Sequence, residues 1–178
     1  MRYRRVFAEK GCYFFTVVTE KRRPIFANND SLVLLREAFK YVMLKRPFTI
    51  DAMVVLPDHL HCIWSLPSND ADFSTRWRLI KTYFSKQYQH QIPVTNKNRI
   101  NKQQQGIWQH RFWEHCLRDE NDLVRHIEYI HYNPVKHGYV ERAVDWEASS
   151  FQRYVKQGLV EEHWGIDGLK LDDCIGHE

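Results

Sequence analysis

The sequence predicts an α+β domain in which an antiparallel sheet of the ferredoxin-like, RRM-like kind carries helices on one face. Segments with the composition of strands alternate with segments of helical periodicity, in the order strand, helix, hairpin, helix, strand, helix. The chain has 178 residues, which suffices for one domain with a sizeable core. We find no internal repeat that would indicate another architecture.

The first predicted elements are a strand and a helix. Residues 12–19 are rich in aromatic and β-branched side chains and follow a glycine, which favours a strand. Residues 31–45 repeat apolar side chains at helical spacing after an Asn-Asn-Asp cluster. Either Asp30 or Ser31 can cap this helix, and we expect it to end before Pro47.

The middle of the chain predicts a hairpin, a second helix and another strand. Residues 48–56 and 59–66 are strand-like runs joined by Pro-Asp, which is typical of a hairpin. Residues 72–90 have helical periodicity, with basic side chains spread along them. Residues 91–106 are polar and predict a flexible loop, and residues 107–113 resemble a strand.

The last predicted helix begins in an acidic run at residue 119, where carboxylates favour a helix N terminus. We expect it to end at about Asn133, because proline disfavours helical backbone in the residue before it. One stripe of this helix is apolar and is assigned to the core: Leu123, Val124, Ile127 and Ile130.

Three polar or aromatic side chains border that apolar stripe. Tyr129 and Asn133 are four residues apart and therefore project side by side, and His126 lies on the same flank. Tyr132 points nearly opposite the stripe. A tyrosine that borders a core usually packs there, and an asparagine before proline usually ends a helix, so these residues alone do not establish a site.

A pair of histidines opens the second arm of the predicted hairpin. His59 and His61 are two residues apart, so on a strand their side chains project from the same face. One metal ion can bridge them, whereas a half-buried strand shows the same alternation without a metal. The spacing leaves both interpretations open.

The packing of the last helix beside the hairpin would give this pair a chemical role. A divalent ion held by His59, His61 and the Asn133 oxygen can polarise a phosphodiester as a Lewis acid. The Tyr129 oxygen can then attack phosphorus and form a covalent intermediate. The sequence does not show which group receives the tyrosine proton.

Charge is distributed unevenly, although the formal net charge is only +4. Residues 1–23 hold seven basic against two acidic side chains, whereas from Asp145 onward eight acidic side chains face three basic ones. Aromatic residues interleave with the basic N-terminal ones, which suits contact with phosphates and stacking on bases. A solvated edge beside a core strand explains the pattern equally well.

Composition excludes several classes of protein. The hydrophobic fraction of 43% indicates a globular rather than a disordered chain. No apolar run is long enough to cross a bilayer, and the N terminus lacks the apolar stretch of a secretory signal. The four cysteines are scattered without a Cys-x-x-Cys pair, so we expect reduced thiols and a cytoplasmic protein.

Three segments together resemble the REP-associated tyrosine transposases, a branch of the single-tyrosine HUH transposases. They are LPDHLHCIWSLP, WQHRFWEHCLRDENDLVRHIEYIHYNPVKHGYV and DWEASSFQRYV, and the resemblance extends to about residue 158. It implies that His59 and His61 bind a divalent metal, that Tyr129 is the nucleophile and that Asn133 is the third ligand. Many relatives carry Gln or His at that third position.

The resemblance implies cleavage and rejoining of single-stranded DNA at repetitive extragenic palindromes (REP). The DNA partner would contain hairpins, and the reaction would pass through a 5′-phosphotyrosine intermediate that conserves phosphodiester energy. The implied cofactor is Mg²⁺ or Mn²⁺, since phosphate oxygens must join the ligand set. We expect a monomer or homodimer in the bacterial cytoplasm, without membrane association.

The candidate DNA contacts are basic residues of the N-terminal stretch and the second helix: Arg2, Arg4, Arg5, Lys10, Arg22, Arg23, Arg76 and Lys81. For the helical residues, a solvated face is the alternative. We assign residues 1–158 to the domain and residues 159–178 to an acidic tail, whose carboxylates would compete with phosphates for the same basic side chains.

Two other functions fit part of the pattern. A noncatalytic nucleic-acid-binding module of the RRM kind explains the basic stretch and the aromatics, but it leaves the two histidines, the tyrosine and the asparagine unexplained. A metal-dependent phosphodiesterase that uses water would employ Tyr129 only to position the substrate. A covalent DNA adduct distinguishes the transposase from both.

Overall fold

The computed structural model describes residues 11–91, 106–166 and 168. In these residues four strands and four α-helices follow one another: β1 (Cys12–Val18), α1 (Asn29–Lys45), β2 (Thr49–Val55), β3 (His59–Ser65), α2 (Phe73–Gln91), β4 (Trp113–Cys116), α3 (Glu120–Lys136) and α4 (Phe151–Lys156). The predicted order of elements is confirmed, and α4 is added to it. No helix in the described ranges is long and apolar enough to cross a membrane.

The strands form one antiparallel sheet in the order β2-β3-β1-β4. The predicted hairpin is confirmed, with the Leu56 N–H donating to the His59 carbonyl at 2.8 Å across its turn. The exposed edge of β2 is partly covered by residues 148–150, since the Val55 N–H donates to the Ala148 carbonyl at 2.8 Å. β3 lies between β2 and β1, and all seven of its residues are buried.

Helices cover both faces of the sheet, so the prediction of helices on one face was wrong. Phe15 and Trp64 point to the side of α1 and α2, whereas Phe14 and Ile63 point to the side of α3 and α4. Successive strand residues alternate between the faces, and here both sets are apolar. α3 must bury its own apolar stripe, and the second face of the sheet provides the surface against which it packs.

Two predicted boundaries were wrong for local reasons. The N-cap of α1 is Asn28, whose side-chain oxygen accepts a hydrogen bond from the Ser31 N–H at 2.8 Å. α3 continues through Pro134 to Lys136, because proline removes only its own N–H and the next donors still find acceptors. The His137 N–H, for example, donates to the Asn133 carbonyl at 3.0 Å.

The strand predicted at residues 107–113 is displaced. Pairing with β1 begins at Trp113 and runs to Cys116, whereas Trp108 makes only an isolated bridge with Thr19. Ile107 and Trp108 are consecutive and both buried, so they fill the core beside α2 instead of alternating between two faces. The loop predicted just before them lies almost entirely outside the described residues.

The first residues after α4 pack on the domain. The Leu159 N–H donates to the Tyr154 carbonyl at 3.0 Å, and Val160 is buried. Trp164 brings its ring centroid to 5.7 Å from that of Phe151. Within the stretch assigned to the acidic tail, these residues join the core cluster on the α3 side of the sheet.

A buried histidine should make the fold sensitive to acid. His131 lies inside the domain with its Nε2 2.9 Å from the Ser150 Oγ, and burial lowers its pKa from 6.5 to about 3. Between these values the unfolded chain binds the proton and the folded chain does not. The free energy of unfolding should therefore fall as pH drops from about 6.5 toward 3, with a slope approaching about 1.4 kcal/mol per pH unit.

Urea titrations between pH 7 and 4 measure this slope. His131→Gln retains a hydrogen-bonding side chain but has no titrating ring, so its slope should be smaller than that of the wild type. Equal slopes for the two proteins would contradict the assignment.

Candidate active site

Two imidazoles form the centre of the site on β3. His59 and His61 alternate with apolar residues that face the other side of the sheet, so both rings lie on the α3 face. Their centroids are 4.9 Å apart, with ring planes at 82°. The two side chains are 1% and 0% exposed, which places them inside the protein and not on an open strand.

Each ring is held through its Nδ1 atom. The His61 Nδ1 lies 2.9 Å from the Thr16 hydroxyl of the neighbouring strand, and the His59 Nδ1 lies 2.6 Å from a carboxylate oxygen of Asp58. A polar partner on one ring nitrogen fixes the ring and directs the other nitrogen to a ligand. Both rings are thus fixed through Nδ1, which leaves Nε2 as the atom that could coordinate a metal.

The Asp58 carboxylate is ionised in this setting. Burial opposes its charge, but the hydrogen bond with His59 and the pairing with Arg22 outweigh that effect and lower its pKa. A carboxylate beside Nδ1 makes this nitrogen the donor.

α3 brings the predicted nucleophile to the histidine pair. The Tyr129 ring centroid is 5.1 Å from that of His61, in an edge-to-face arrangement, and the side chain is 1% exposed. Asn133 follows one turn later and is fully buried. Packing of this helix against β2 and β3 therefore places the four predicted residues on one side of the sheet.

The sequence interpretation missed two residues that border this site. The Lys136 Nζ lies 4.9 Å from the Tyr129 ring centroid, and the His137 ring lies 5.5 Å from that of His59. Lys136 is seven residues after Tyr129, so helical periodicity returns it to the same face. That signal was present in the sequence, but the predicted end of the helix at Asn133 concealed it.

A second polar cluster lies nearby, between β4 and the start of α3. Donor atoms of His115, Asp122 and His126 all lie within 4.8 Å of one another, close enough to hold a metal ion. Of these three residues, only His126 was singled out from the sequence. The cluster adjoins the first site, because the Phe14 ring contacts both His126 and His61.

Hydrogen bonds already occupy much of the Asp122 carboxylate. Its Oδ2 accepts from His115 at 3.0 Å and from both the backbone N–H and the Nε of Arg118. Although burial opposes the charge, these bonds lower the Asp122 pKa to about 2. With His115 on β4 and Arg118 just before α3 as donors, these bonds anchor the start of α3 to β4.

Of the candidate DNA contacts, Arg2, Arg4, Arg5 and Lys10 lie outside the described residues. Arg23 is exposed, and its Nε donates to the Glu20 carbonyl at 3.3 Å. The Arg22 Nη1 lies 3.1 Å from the Asp58 Oδ2, so this arginine is part of the histidine site's surroundings. The Lys81 Nζ donates to the Gln109 carbonyl at 3.1 Å, and burial lowers its pKa to about 8.

Arg76 is positioned for stability. It is 2% exposed, and its guanidinium donates to both carboxylate oxygens of Asp70 and to the Arg46 and Pro47 carbonyls. These bonds tie the start of α2 to the end of α1. The position does not suit contact with a DNA phosphate.

Arg76→Ala should therefore lower the free energy of unfolding by about 1–3 kcal/mol, because several buried acceptors lose their donor. Denaturant titration measures the loss. Arg78→Ala is the matched control, since Arg78 is an exposed arginine of the same helix. Equal stability of the two variants would contradict the buried role of Arg76.

Comparison with known proteins identifies the family. Residues 8–133 match the family described as "Transposase IS200 like". The chain belongs to the IS200-like transposases. The match includes all four predicted site residues and ends at Asn133, so Lys136, His137 and α4 lie beyond it.

Relatives of the transposase place it in the REP-associated branch. It is 44% identical to an Escherichia coli REP-associated tyrosine transposase over 165 residues, which cover 93% of this chain and 91% of the relative. A Haemophilus influenzae relative with the same family name is 45% identical over 92% of each chain. The transposase is thus an enzyme of DNA cleavage and strand transfer.

A solved structure supports the same placement. The structure of a REP-associated tyrosine transposase bound to a REP hairpin is similar to this chain with a TM-score of 0.74. The two sequences are 39% identical, and the similarity covers 99% of each chain. The predicted fold class is confirmed.

Proposed function

We propose that this transposase cleaves and rejoins single-stranded DNA through a covalent bond between Tyr129 and a 5′-phosphate. The observation that carries the proposal is the 5.1 Å separation of the Tyr129 and His61 rings, which joins α3 to β3 at one site. A noncatalytic binding module has no need of a tyrosine beside two anchored imidazoles.

The reaction exchanges one ester bond for another. The Tyr129 oxygen forms a bond to phosphorus as the bond from phosphorus to the 3′ oxygen breaks, which leaves a free 3′-hydroxyl on the other fragment. Attack by a 3′-hydroxyl on the phosphotyrosine reverses the step and rejoins a strand. The number of phosphoester bonds is unchanged, so the transfer needs no nucleotide hydrolysis.

His59, His61 and Asn133 would hold the divalent cation. The donor set fits such an ion, since two imidazoles are fixed through Nδ1 and a buried amide lies on the adjacent helix. Mg²⁺ or Mn²⁺ is the proposed cofactor, because phosphate oxygens would join the two imidazoles and the amide oxygen as ligands. When bound, the ion polarises the phosphodiester as a Lewis acid.

Lys136 contributes positive charge on the side of the nucleophile. Its ammonium group lies 4.9 Å from the Tyr129 ring centroid, at the end of the same helix. A cation there stabilises the negative charge that builds on the phosphate oxygens during transfer. Tyr129 provides the attacking atom and Lys136 provides charge.

The proposed substrate is a DNA hairpin of the REP class with a single-stranded flank. The proposal draws on the solved relative that was bound to a REP hairpin. Arg23 is exposed at the turn after β1, and we propose that it contacts phosphates together with Arg2, Arg4, Arg5 and Lys10 of the same basic stretch.

A suicide oligonucleotide tests the function. The substrate carries a hairpin and a nick a short distance 5′ of the cleaved phosphate, so the short fragment released with the free 3′-hydroxyl diffuses away and the adduct accumulates. A denaturing gel should show a covalent protein–DNA band that requires Mn²⁺ or Mg²⁺. Hairpin binding without cleavage would support the noncatalytic module, and cleavage without an adduct would support a phosphodiesterase that uses water.

One copy of the chain supplies every proposed site residue, so we propose that a monomer suffices for cleavage and that a homodimer would hold two complete sites. Mixing Tyr129→Phe with His61→Gln should then give no adduct, because neither chain has a complete site. If the mixture recovers a substantial fraction of wild-type cleavage, the tyrosine is supplied by a partner subunit.

A further inference from the structure

We propose that Asp58 and Arg22 are positioning residues that hold His59 in the orientation required for metal binding. This inference rests on the proposed function of His59 as a ligand. The Asp58 carboxylate lies between two partners, with Oδ1 2.6 Å from the His59 Nδ1 and Oδ2 3.1 Å from the Arg22 Nη1. Both oxygens are engaged, so the carboxylate cannot rotate without losing one contact.

The backbone around Arg22 has an unusual conformation. Lys21 and Arg22 both have positive φ angles, 55° and 49°, although neither is glycine. Side-chain-bearing residues seldom adopt this region, and such conformations cluster at functional sites where the surroundings enforce them. Here they form the turn that directs Arg22 to Asp58.

Hydrogen bonds attach this turn to the hairpin loop. The N–H and the hydroxyl of Thr19 both donate to the Asp58 carbonyl at 2.8 Å, and the Phe26 N–H donates to the Pro57 carbonyl at 2.9 Å. The two segments therefore form one unit directly before the first histidine of β3.

The arrangement acts on the metal through His59. A carboxylate that accepts from Nδ1–H fixes the tautomer and the ring orientation and makes Nε2 a better donor to a cation. Arg22 acts one step further away, by orienting the carboxylate. The Asp58 side chain is 16% exposed and that of Arg22 is 42% exposed, so water replaces the contribution of Arg22 more readily.

Mn²⁺ binding without DNA is the direct test, and free Mn²⁺ can be measured by electron paramagnetic resonance. Asp58→Ala should weaken Mn²⁺ affinity about 10–100-fold. Asp58→Asn, which keeps the shape and one acceptor oxygen, should weaken it less. Arg22→Gln should weaken it by less than about tenfold, because Arg22 acts one step further from the metal than Asp58, and Arg22→Lys should restore part of the loss.

Lys21→Gln is the matched control. It removes one positive charge from the same turn at a residue with the same left-handed backbone, and it should leave Mn²⁺ affinity unchanged. Thermal unfolding of each variant verifies that Asp58→Asn and Arg22→Gln remain folded at the temperature of the titration.

The outcomes separate this inference from the proposed function. Suppose that the wild type binds Mn²⁺ and His59→Ala abolishes binding, but both Asp58→Asn and Asp58→Ala bind as tightly as the wild type. The positioning role of Asp58 is then wrong, and the role of His59 as a metal ligand is retained. If Arg22→Gln changes hairpin affinity without changing Mn²⁺ affinity, Arg22 is a DNA contact only. A wild type that binds no Mn²⁺ overturns both proposals.

Discussion

Tyr129→Phe should abolish the covalent DNA adduct while leaving hairpin binding nearly unchanged. The substitution removes the attacking oxygen and keeps the ring that packs against His61 and Phe14. Loss of a covalent nucleophile lowers turnover by a factor on the order of 10⁴ or more. The stability change should be small, within about 1 kcal/mol, because one hydroxyl is lost and no cavity the size of a ring is created.

Tyr132→Phe is the control for this prediction. Tyr132 lies on the same helix but contacts Trp164, with ring centroids 6.3 Å apart, on a different side from the histidine pair. A denaturing gel measures the adduct and a gel shift measures hairpin binding. An adduct that survives Tyr129→Phe and disappears in Tyr132→Phe would show that Tyr132, on the other side of α3, is the nucleophile.

Periodicity determined most of what could be predicted about the fold and the site. The two-residue repeat of β3 put both histidines on one face, and the four-residue spacing in α3 put Tyr129 beside Asn133. These are local rules that hold wherever the element forms. The face to which α3 packs is decided by the other elements, so only the structure shows Tyr129 against His61.

Sequence reasoning missed the contacts of residues whose partners are distant in the sequence. Arg76 appeared as one of several basic residues on a helix, but the carboxylate and carbonyls that surround it come from other segments. Arg22 was likewise grouped with DNA contacts, and its pairing with Asp58 spans 36 residues of sequence. The sequence around a charged side chain contains no periodic pattern that identifies a distant partner.

The second prediction with a large effect concerns the metal ligands. His61→Gln should reduce Mn²⁺-dependent cleavage at least about 100-fold, since a ligand is lost rather than a residue that orients one. The effect should appear in both the adduct yield and the Mn²⁺ affinity. Glutamine approximates the volume of the ring, which limits the cavity at a position that is fully buried.

Burial of His61 requires a control for stability, because any substitution there disturbs packing. Ile63→Val changes the next residue on the same face of β3, which is also fully buried, and should cost about 0.5–1.5 kcal/mol without touching a ligand. Cleavage by this control should remain close to that of the wild type. If His61→Gln is destabilised to the same degree and retains Mn²⁺ affinity and cleavage, the histidine pair serves packing. Loss of both properties in His61→Gln alone, at equal stability, would assign the pair to the metal.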